Sequence, residues 1–269
     1  MNKKLLIIGG GNMGLAIAGG IVKSKVYRKK DIVFIERNQE RISFLKKTNY
    51  LVSNKVTKRH KGILGIILAV KPSDISNALV ELKNIISSRA LIISIAAGIR
   101  IKEIASFLFP AQPICRVMPN TPCQIREGMS AITFNKHISK KQKEMVSKMF
   151  QALGKTVIMK DEKYFDVVTA LSGSGPAYFC LLIECLIKSA RKLGLDQEIS
   201  SSLVLQTAIG TMSMLSKTNI SPALLREKVT SKKGTTDAAL QVFQKRNFEN
   251  VVHNALKAGR DRARELSKT

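Results

Sequence analysis

A short apolar run, Lys4–Ile8, ends on Gly9-Gly10-Gly11-Asn12-Met13-Gly14, and the helical pattern Leu15, Ile17, Ala18, Ile21, Val22 begins at once. Few arrangements restrict a fold as tightly. Strand, G-x-G-x-x-G and helix in succession open a βαβ unit that binds a dinucleotide. Gly9 allows the tight turn, Gly11 lets a pyrophosphate approach the backbone, and Gly14 lets the helix pack close to the strand. The helix N-terminus, reached through Asn12 and Met13, attracts the anion. A second apolar run, Asp31–Ile35, follows at the βαβ distance and ends in Glu36-Arg37-Asn38. A carboxylate at that tip accepts hydrogen bonds from the adenine ribose diol, whereas an arginine receives a 2′-phosphate. NADH is favoured if Glu36 points inward, NADPH if Arg37 and Asn38 do, and the sequence holds both.

The alternation continues. Gly65–Val70 reads as a strand ending near Lys71-Pro72, and Ser73–Ile86 as a helix. Leu91–Ile95 is a strand ending in Ala96-Ala97-Gly98, where small residues allow close backbone approach. Ile101–Phe107 is a short helix, and Ile114–Val117 a strand leading into Met118-Pro119-Asn120-Thr121-Pro122. Ser130–Phe134, the helix Ser139–Ala152 with a capping box at Ser139 and Gln142, and Thr156–Met159 close the sheet. Nearly continuous apolar strands imply a sheet covered on both faces. Ligands bind beyond the C-terminal ends of such strands. The tips Gly9–Gly14, Glu36–Asn38, Ala69-Val70-Lys71-Pro72, Ala96–Gly98 and Met118–Thr121 therefore form one rim for the dinucleotide.

After Lys160 the strands stop. Tyr164–Leu171, Pro176–Leu193, Asp196–Ser216, Pro222–Val229, Thr236–Lys245 and Phe248–Leu266 read as helices, with Gly194, Asp196 and Ser221-Pro222 as stop and start signals. Runs of helices after runs of βα units imply two domains, 1–160 and 161–269. Two polar turns interrupt the helices. Ser172–Gly175 is expected to break the chain before Pro176, because small polar residues and glycine favour turns. The helix after it is apolar on nearly every side and is expected to be the most deeply buried in the protein. The second turn, Thr230-Ser-Lys-Lys-Gly-Thr-Thr236, carries four hydroxyls at a helix N-terminus and suits a carboxylate.

Composition bounds what remains. The 269 residues carry a net charge of +26. Residues 1–160 hold 29 Lys+Arg against 8 Asp+Glu (net +21), and residues 161–269 hold 16 against 11 (net +5). The excess is dispersed and aromatics are only 5%, so no stacking platform for nucleic acid is expected. Cysteines at 115, 123, 180 and 185 and histidines at 60, 137 and 253 form no ligand cluster, which points to a reducing, cytoplasmic setting without a disulfide framework or metal. Lys3-Lys4 before Leu5–Val22 imitates a secretory signal, but the βα reading accounts for that stretch. No other segment is expected to supply the ~18 apolar residues of a membrane span. The second half is very apolar for its near-neutral charge, so part of it is expected to meet another subunit.

At the level of motifs the chain resembles pyrroline-5-carboxylate reductase. The resemblance rests on Ile8–Gly14, Ala69–Pro72, Ser94–Gly98, Val117–Pro122, Ala170–Tyr178, Val229–Thr236 and the closing helix Phe248–Leu266. It implies a Rossmann-type α/β domain that binds NADPH or NADH, followed by an all-α dimerisation domain. It also implies hydride transfer to the C=N carbon of 1-pyrroline-5-carboxylate. By the same resemblance Ser231, Gly234 and Thr235 hold the substrate carboxylate, and the Thr236 hydroxyl faces the ring nitrogen. Lys71, Met118, Pro119 and Asn120 would lie along the nicotinamide ribose, and homodimers, often five in a ring, would share sites. One departure stands out: the family usually has Pro-Gly where this chain has Lys232-Lys233. Two other readings fit the layout. A β-hydroxyacid dehydrogenase would need a catalytic lysine on the long central helix, where Lys188 and Lys192 are available. A non-catalytic NAD(P)-binding regulator would use the basic half to touch nucleic acid.

Overall fold

The computed structural model describes residues 4–267 and divides the chain into two compact units, one ending at Ser174 and including the residues from Gly259 on, the other Gly175–Ala258. The first unit is built on eight strands, β1 (Leu5–Ile8), β2 (Ile32–Ile35), β3 (Leu51–Ser53), β4 (Gly65–Leu68), β5 (Leu91–Ser94), β6 (Ile114–Met118), β7 (Gly128–Phe134) and β8 (Gly154–Ile158), in the order β3-β2-β1-β4-β5-β6-β7-β8. Strands β1 to β6 are parallel; β7 runs antiparallel to β6, and β8 parallel to β7. Leu5 pairs with both Ile32 and Gly65, so strand order reverses at β1 and a crevice opens between β1 and β4, where open α/β sheets take their ligands.

The apolar runs behave as a doubly covered sheet requires. Leu5 and Ile7 enter one core with Ile17, Ile21, Phe34, Val146 and Phe150, while Leu6 and Ile8 enter another with Leu68, Leu79 and Leu82. Helices α1 (Asn12–Lys23), α2 (Gln39–Lys47), α3 (Ile75–Lys83), α4 (Ile101–Ser106), α5 (Lys140–Gln151) and α6 (Phe165–Val168) belong to this unit. The Ser139/Gln142 capping box starts α5. The edge strand β3 escaped the pattern, because three residues, Leu-Val-Ser, are too few to reveal a period.

Two expectations about the first polar turn need correction. Thr169–Gly173 is not a break but a wide π-helical turn that carries α6 onward, with only Ser174 bent before α7 (Gly175–Lys192). The amide of Ser174 still reaches Thr169 O at 2.8 Å, so an extra residue is absorbed without ending the helix. Nor is α7 deeply buried: Gly175 is its one buried residue, and Phe179 is 58% and Leu181 60% exposed. A helix apolar all round buries its surface only if something surrounds it, and this chain supplies too little cover. The stretch Glu162–Lys192 is in fact long and apolar enough, by length and composition, to cross a membrane, contrary to the expectation that no such segment existed. The other helices of this unit are α8 (Gln197–Thr218), α9 (Pro222–Lys228), α10 (Thr235–Lys245) and α11 (Phe248–Leu266), the last continuing into residues of the first unit. Asp196 caps α8 by accepting from the amides of Glu198 and Ile199, and Ser221 caps α9.

Candidate active site

The glycine-rich loop is shaped by its neighbours. Gly9 has φ +103°, and a Cβ there would lie 2.4 Å from Ala69 O at the tip of β4. At Gly14 a Cβ would lie 2.3 Å from Gly9 O, so α1 rests directly on the turn. Gly11 differs: a Cβ would meet nothing within 4 Å. Its backbone faces open space at the start of α1, whose N-cap is Gly11 itself with no side-chain cap. Free amides at a helix N-terminus beside a vacancy that a side chain would fill are what a pyrophosphate needs. The residues present fit the dinucleotide.

The tip of β2 divides its labour unexpectedly. Glu36 Oε2 accepts from Gly10 N at 2.7 Å, and Oε1 accepts from Arg37 N at 2.8 Å and Asn38 N at 2.9 Å. The carboxylate is thus turned inward onto backbone. Arg37 is drawn to Glu81 of α3, and the Asn38 side chain caps α2 by accepting from Arg41 N at 3.0 Å. Arg41, which the sequence did not single out, lays its guanidinium on the loop, with Nε 3.0 Å and Nη2 2.6 Å from Gly10 O. Gly10 is thus held through both its N–H and its carbonyl.

The remaining tips lie at the C-terminal ends of their strands. Val70 is half-buried, and Lys71 and Pro72 are exposed at the start of a short 3₁₀ turn. Ala96 and Gly98 are buried, with Ala97 between them half-buried. The close approach that Gly98 (φ +79°) permits is made by Leu266, which a Cβ would meet at 3.2 Å. The end of α11 therefore sits on the tip of β5. It is anchored by Asp166, buried between Arg264 at 3.7 Å and Arg100 at 3.8 Å. Next to this, buried Arg116 of β6 donates from Nη1 to Glu162 Oε1 at 2.9 Å and stacks on the Phe165 ring, while the same oxygen takes the Ile101 amide. Met118 packs against Gly173, Pro119 is buried, and Asn120 Oδ1 accepts from Met129 N at 2.9 Å. Arg100, Arg116 and Arg264 reach Glu162 and Asp166 from distant parts of the chain, so no local pattern announced this cluster.

In the second unit the turn before α10 has the features that would take a carboxylate. Gly234 is the N-cap and supplies no side-chain cap. Its amide donates to Ser231 O at 3.0 Å, and a Cβ on Gly234 would lie 2.3 Å from Ser231 Oγ, so only glycine lets that hydroxyl lie over the helix start. Thr230 Oγ1 donates to Arg226 O, but the hydroxyls of Ser231, Thr235 and Thr236 engage no partner among the described residues. Thr236 lines a largely apolar cavity of about 400 Å³ with Met214, Leu225, Val229 and Leu240. Lys232 and Lys233 are exposed; Lys233 adopts φ +63°, with its amide donating to Asp237 Oδ2. On α7, Lys188 is exposed and paired with Glu184.

Residues 162–266 match a family model described as pyrroline-5-carboxylate reductase dimerisation, and residues 4–98 match one described as NADP oxidoreductase, coenzyme F420-dependent. The pyrroline-5-carboxylate reductase of Pseudomonas aeruginosa is 36% identical over 268 residues, covering 98% of this chain and 97% of its own length. Among solved structures, a pyrroline-5-carboxylate reductase from Coxiella burnetii superposes with a TM-score of 0.90 at 34% identity, each chain covered completely. The Plasmodium falciparum pyrroline carboxylate reductase with NADP bound superposes at 0.88 and 32% identity, covering 99% of this chain and 98% of that one.

Proposed function

Since this chain belongs to the pyrroline-5-carboxylate reductase family, we propose that the turn Ser231–Thr236 grips the substrate and that Thr236 is its catalytic residue. The protein is an oxidoreductase that reduces 1-pyrroline-5-carboxylate to L-proline with NAD(P)H, by hydride transfer to the C=N carbon, in the last step of proline biosynthesis. We assign nucleotide binding to residues 1–160, through Gly9, Gly11, Asn12, Met13, Gly14 and the tips of β4, β5 and β6, and substrate binding and dimerisation to residues 161–269.

The observation that carries the substrate assignment is the uncapped start of α10, with three unpartnered hydroxyls around it. Amides of Thr235 and Thr236 and the Ser231 hydroxyl are donors suited to a carboxylate, and the helix dipole adds to the hold. Gly234 keeps Ser231 Oγ in place by having no side chain. When bound, the dihydronicotinamide supplies the hydride. The protonated imine is already a good electrophile, so the chain needs no His/Asp pair. Its work is to align the two rings and to give the ring N–H a partner, which is the role assigned to the Thr236 hydroxyl. The protein acts as a homo-oligomer on a small-molecule substrate; we assign the dimer as its unit, five dimers in a ring as a further assembly, and the cytoplasm as its place.

The test is Thr236→Ala beside Thr236→Ser. Alanine should lower kcat/KM by ~1–3 kcal/mol with cofactor affinity unchanged, and serine should restore most of it. If Thr236 only stiffens the start of α10, alanine will lower Tm and leave turnover of the folded enzyme as it was.

A further inference from the structure

We propose that Arg41 is the residue through which this chain recognises the 2′-phosphate of NADPH, and that Glu36 does not serve as the acceptor for the ribose diol of NADH. This inference rests on the reading of Gly9–Gly14 as the dinucleotide loop and goes beyond it to the choice between the two coenzymes.

Glu36 stands at the end of β2, where a carboxylate would select NADH. Here both its oxygens are engaged by the three amides of Gly10, Arg37 and Asn38. Three of its roughly four acceptor positions are taken, two of them on Oε1, so at most one lone pair, on Oε2, is left for a ribose hydroxyl and none for a paired hold on the diol. The carboxylate holds the loop together, and its negative charge stays at the base of the site. Arg37, the obvious cation, reaches away to Glu81 on α3.

Arg41 is placed differently. It lies in the first turn of α2, where a cation works against the helix dipole. No ion pair with an acid relieves it among the described residues. Its side chain folds back over the glycine-rich loop, where Nε and Nη2 bracket Gly10 O and Nη2 reaches Asn12 Oδ1 at 3.4 Å. The Nη1 amino group, with two N–H donors, has no partner among the described residues. A guanidinium fixed on one edge and free on the other, beside the β2 tip, is a preformed donor for a phosphate group. Both coenzymes carry the pyrophosphate, whereas only NADPH brings a further dianion to the ribose end of the loop.

Direct binding separates the possibilities without relying on turnover. The full-length protein would be titrated with NADPH and with NADH, following nicotinamide fluorescence, and with 2′,5′-ADP and 5′-ADP by calorimetry. The wild type should bind NADPH and 2′,5′-ADP more tightly than their partners lacking the 2′-phosphate. Arg41→Met should weaken the two 2′-phosphorylated ligands at least tenfold and leave NADH within about twofold, with Arg41→Lys in between. Arg37→Ala should change either affinity little. An Arg41→Met protein that loses NADPH and NADH equally would assign Arg41 to the loop or the pyrophosphate and overturn the proposal. A wild type that prefers NADH, or a larger selective loss in Arg37→Ala, would overturn it as well. Binding of neither coenzyme by the wild type would instead remove the reading of the loop on which it stands.

Discussion

Single residues decide where an anion can sit on this chain. Gly11 and Gly234 each precede a helix without a side-chain cap, but they are glycine for different reasons. Around Gly11 there is room, which we assign to the pyrophosphate; beside Gly234 there is none, because Ser231 Oγ occupies it. Gly11→Val should therefore fold, with Tm close to wild type, yet lose most affinity for both coenzymes in a fluorescence titration; unchanged affinity would detach the loop from dinucleotide binding. Lys233 makes a complementary point. Where the family usually has glycine, this chain holds a lysine at φ +63°, in the left-handed region that disfavours side chains. Lys233→Gly should raise stability by about 0.5–1 kcal/mol, read as a higher urea midpoint, since relief of that strain outweighs the added freedom of the unfolded chain. A lowered midpoint would mean that the lysine side chain contributes packing or charge of its own.

At the scale of elements, caps sort the helices into those closed by their own side chains and those left open. Helices α2, α5, α8 and α9 begin with Asn38, Ser139, Asp196 and Ser221, each accepting a backbone N–H, while α1 and α10 begin with a bare glycine. Helices α3, α4 and α6 also lack a side-chain cap, so an open start is not by itself a site; what sets α1 and α10 apart is the glycine at the cap, and it is these two that we assign to ligands. The Asp196 carboxyl shows the cost of closing an end with a charge: the amides of Glu198 and then Ile199 hold it below its ordinary range. A depressed folded value means that its stabilisation is full above the unfolded carboxylate range and is lost as pH falls through the folded value. Melting followed from about pH 5 to about pH 3 should fall more steeply for the wild type than for Asp196→Asn. Parallel slopes would show that the cap does not depend on the carboxylate's charge.

For the whole molecule the question is what covers α7 and its neighbours. Phe179, Leu181, Leu203, Ile209, Val242 and Val251 are all large, apolar and more than half exposed in the single chain. Residues 162–266 match a dimerisation model, and we assign the cover to a second copy, which would also account for a helical stretch apolar enough to suit a bilayer. Mass photometry at micromolar concentration, without detergent, should show a dimer or larger and no significant monomer. A Leu181→Glu/Val251→Glu double variant should shift that population toward monomer. A fully active monomer would defeat the assignment. The same family membership sets aside the β-hydroxyacid dehydrogenase and regulator readings, and Lys188, paired on the outside of α7, offers the former no catalytic base.

What the sequence determined by itself were the features written in local order. The strand–glycine–helix entry, the alternation of buried strands with helices, the caps at Ser139, Asp196 and Ser221, and the polar turn before α10 all follow from spacing and backbone preference. Each depends only on residues a few positions apart. The tertiary structure decided whatever needs two distant segments to meet. It turned Glu36 onto Gly10, sent Arg37 to Glu81 and brought Arg41 over the loop. It laid Leu266 on Gly98 and buried Arg116 with Glu162. It also carried Thr169–Gly173 through as a π turn, because helix on both sides leaves those residues a hydrogen-bonded path that their own propensities do not favour. Short-range sterics and capping can be read along the chain, but the partner of a charge is whatever the fold brings beside it.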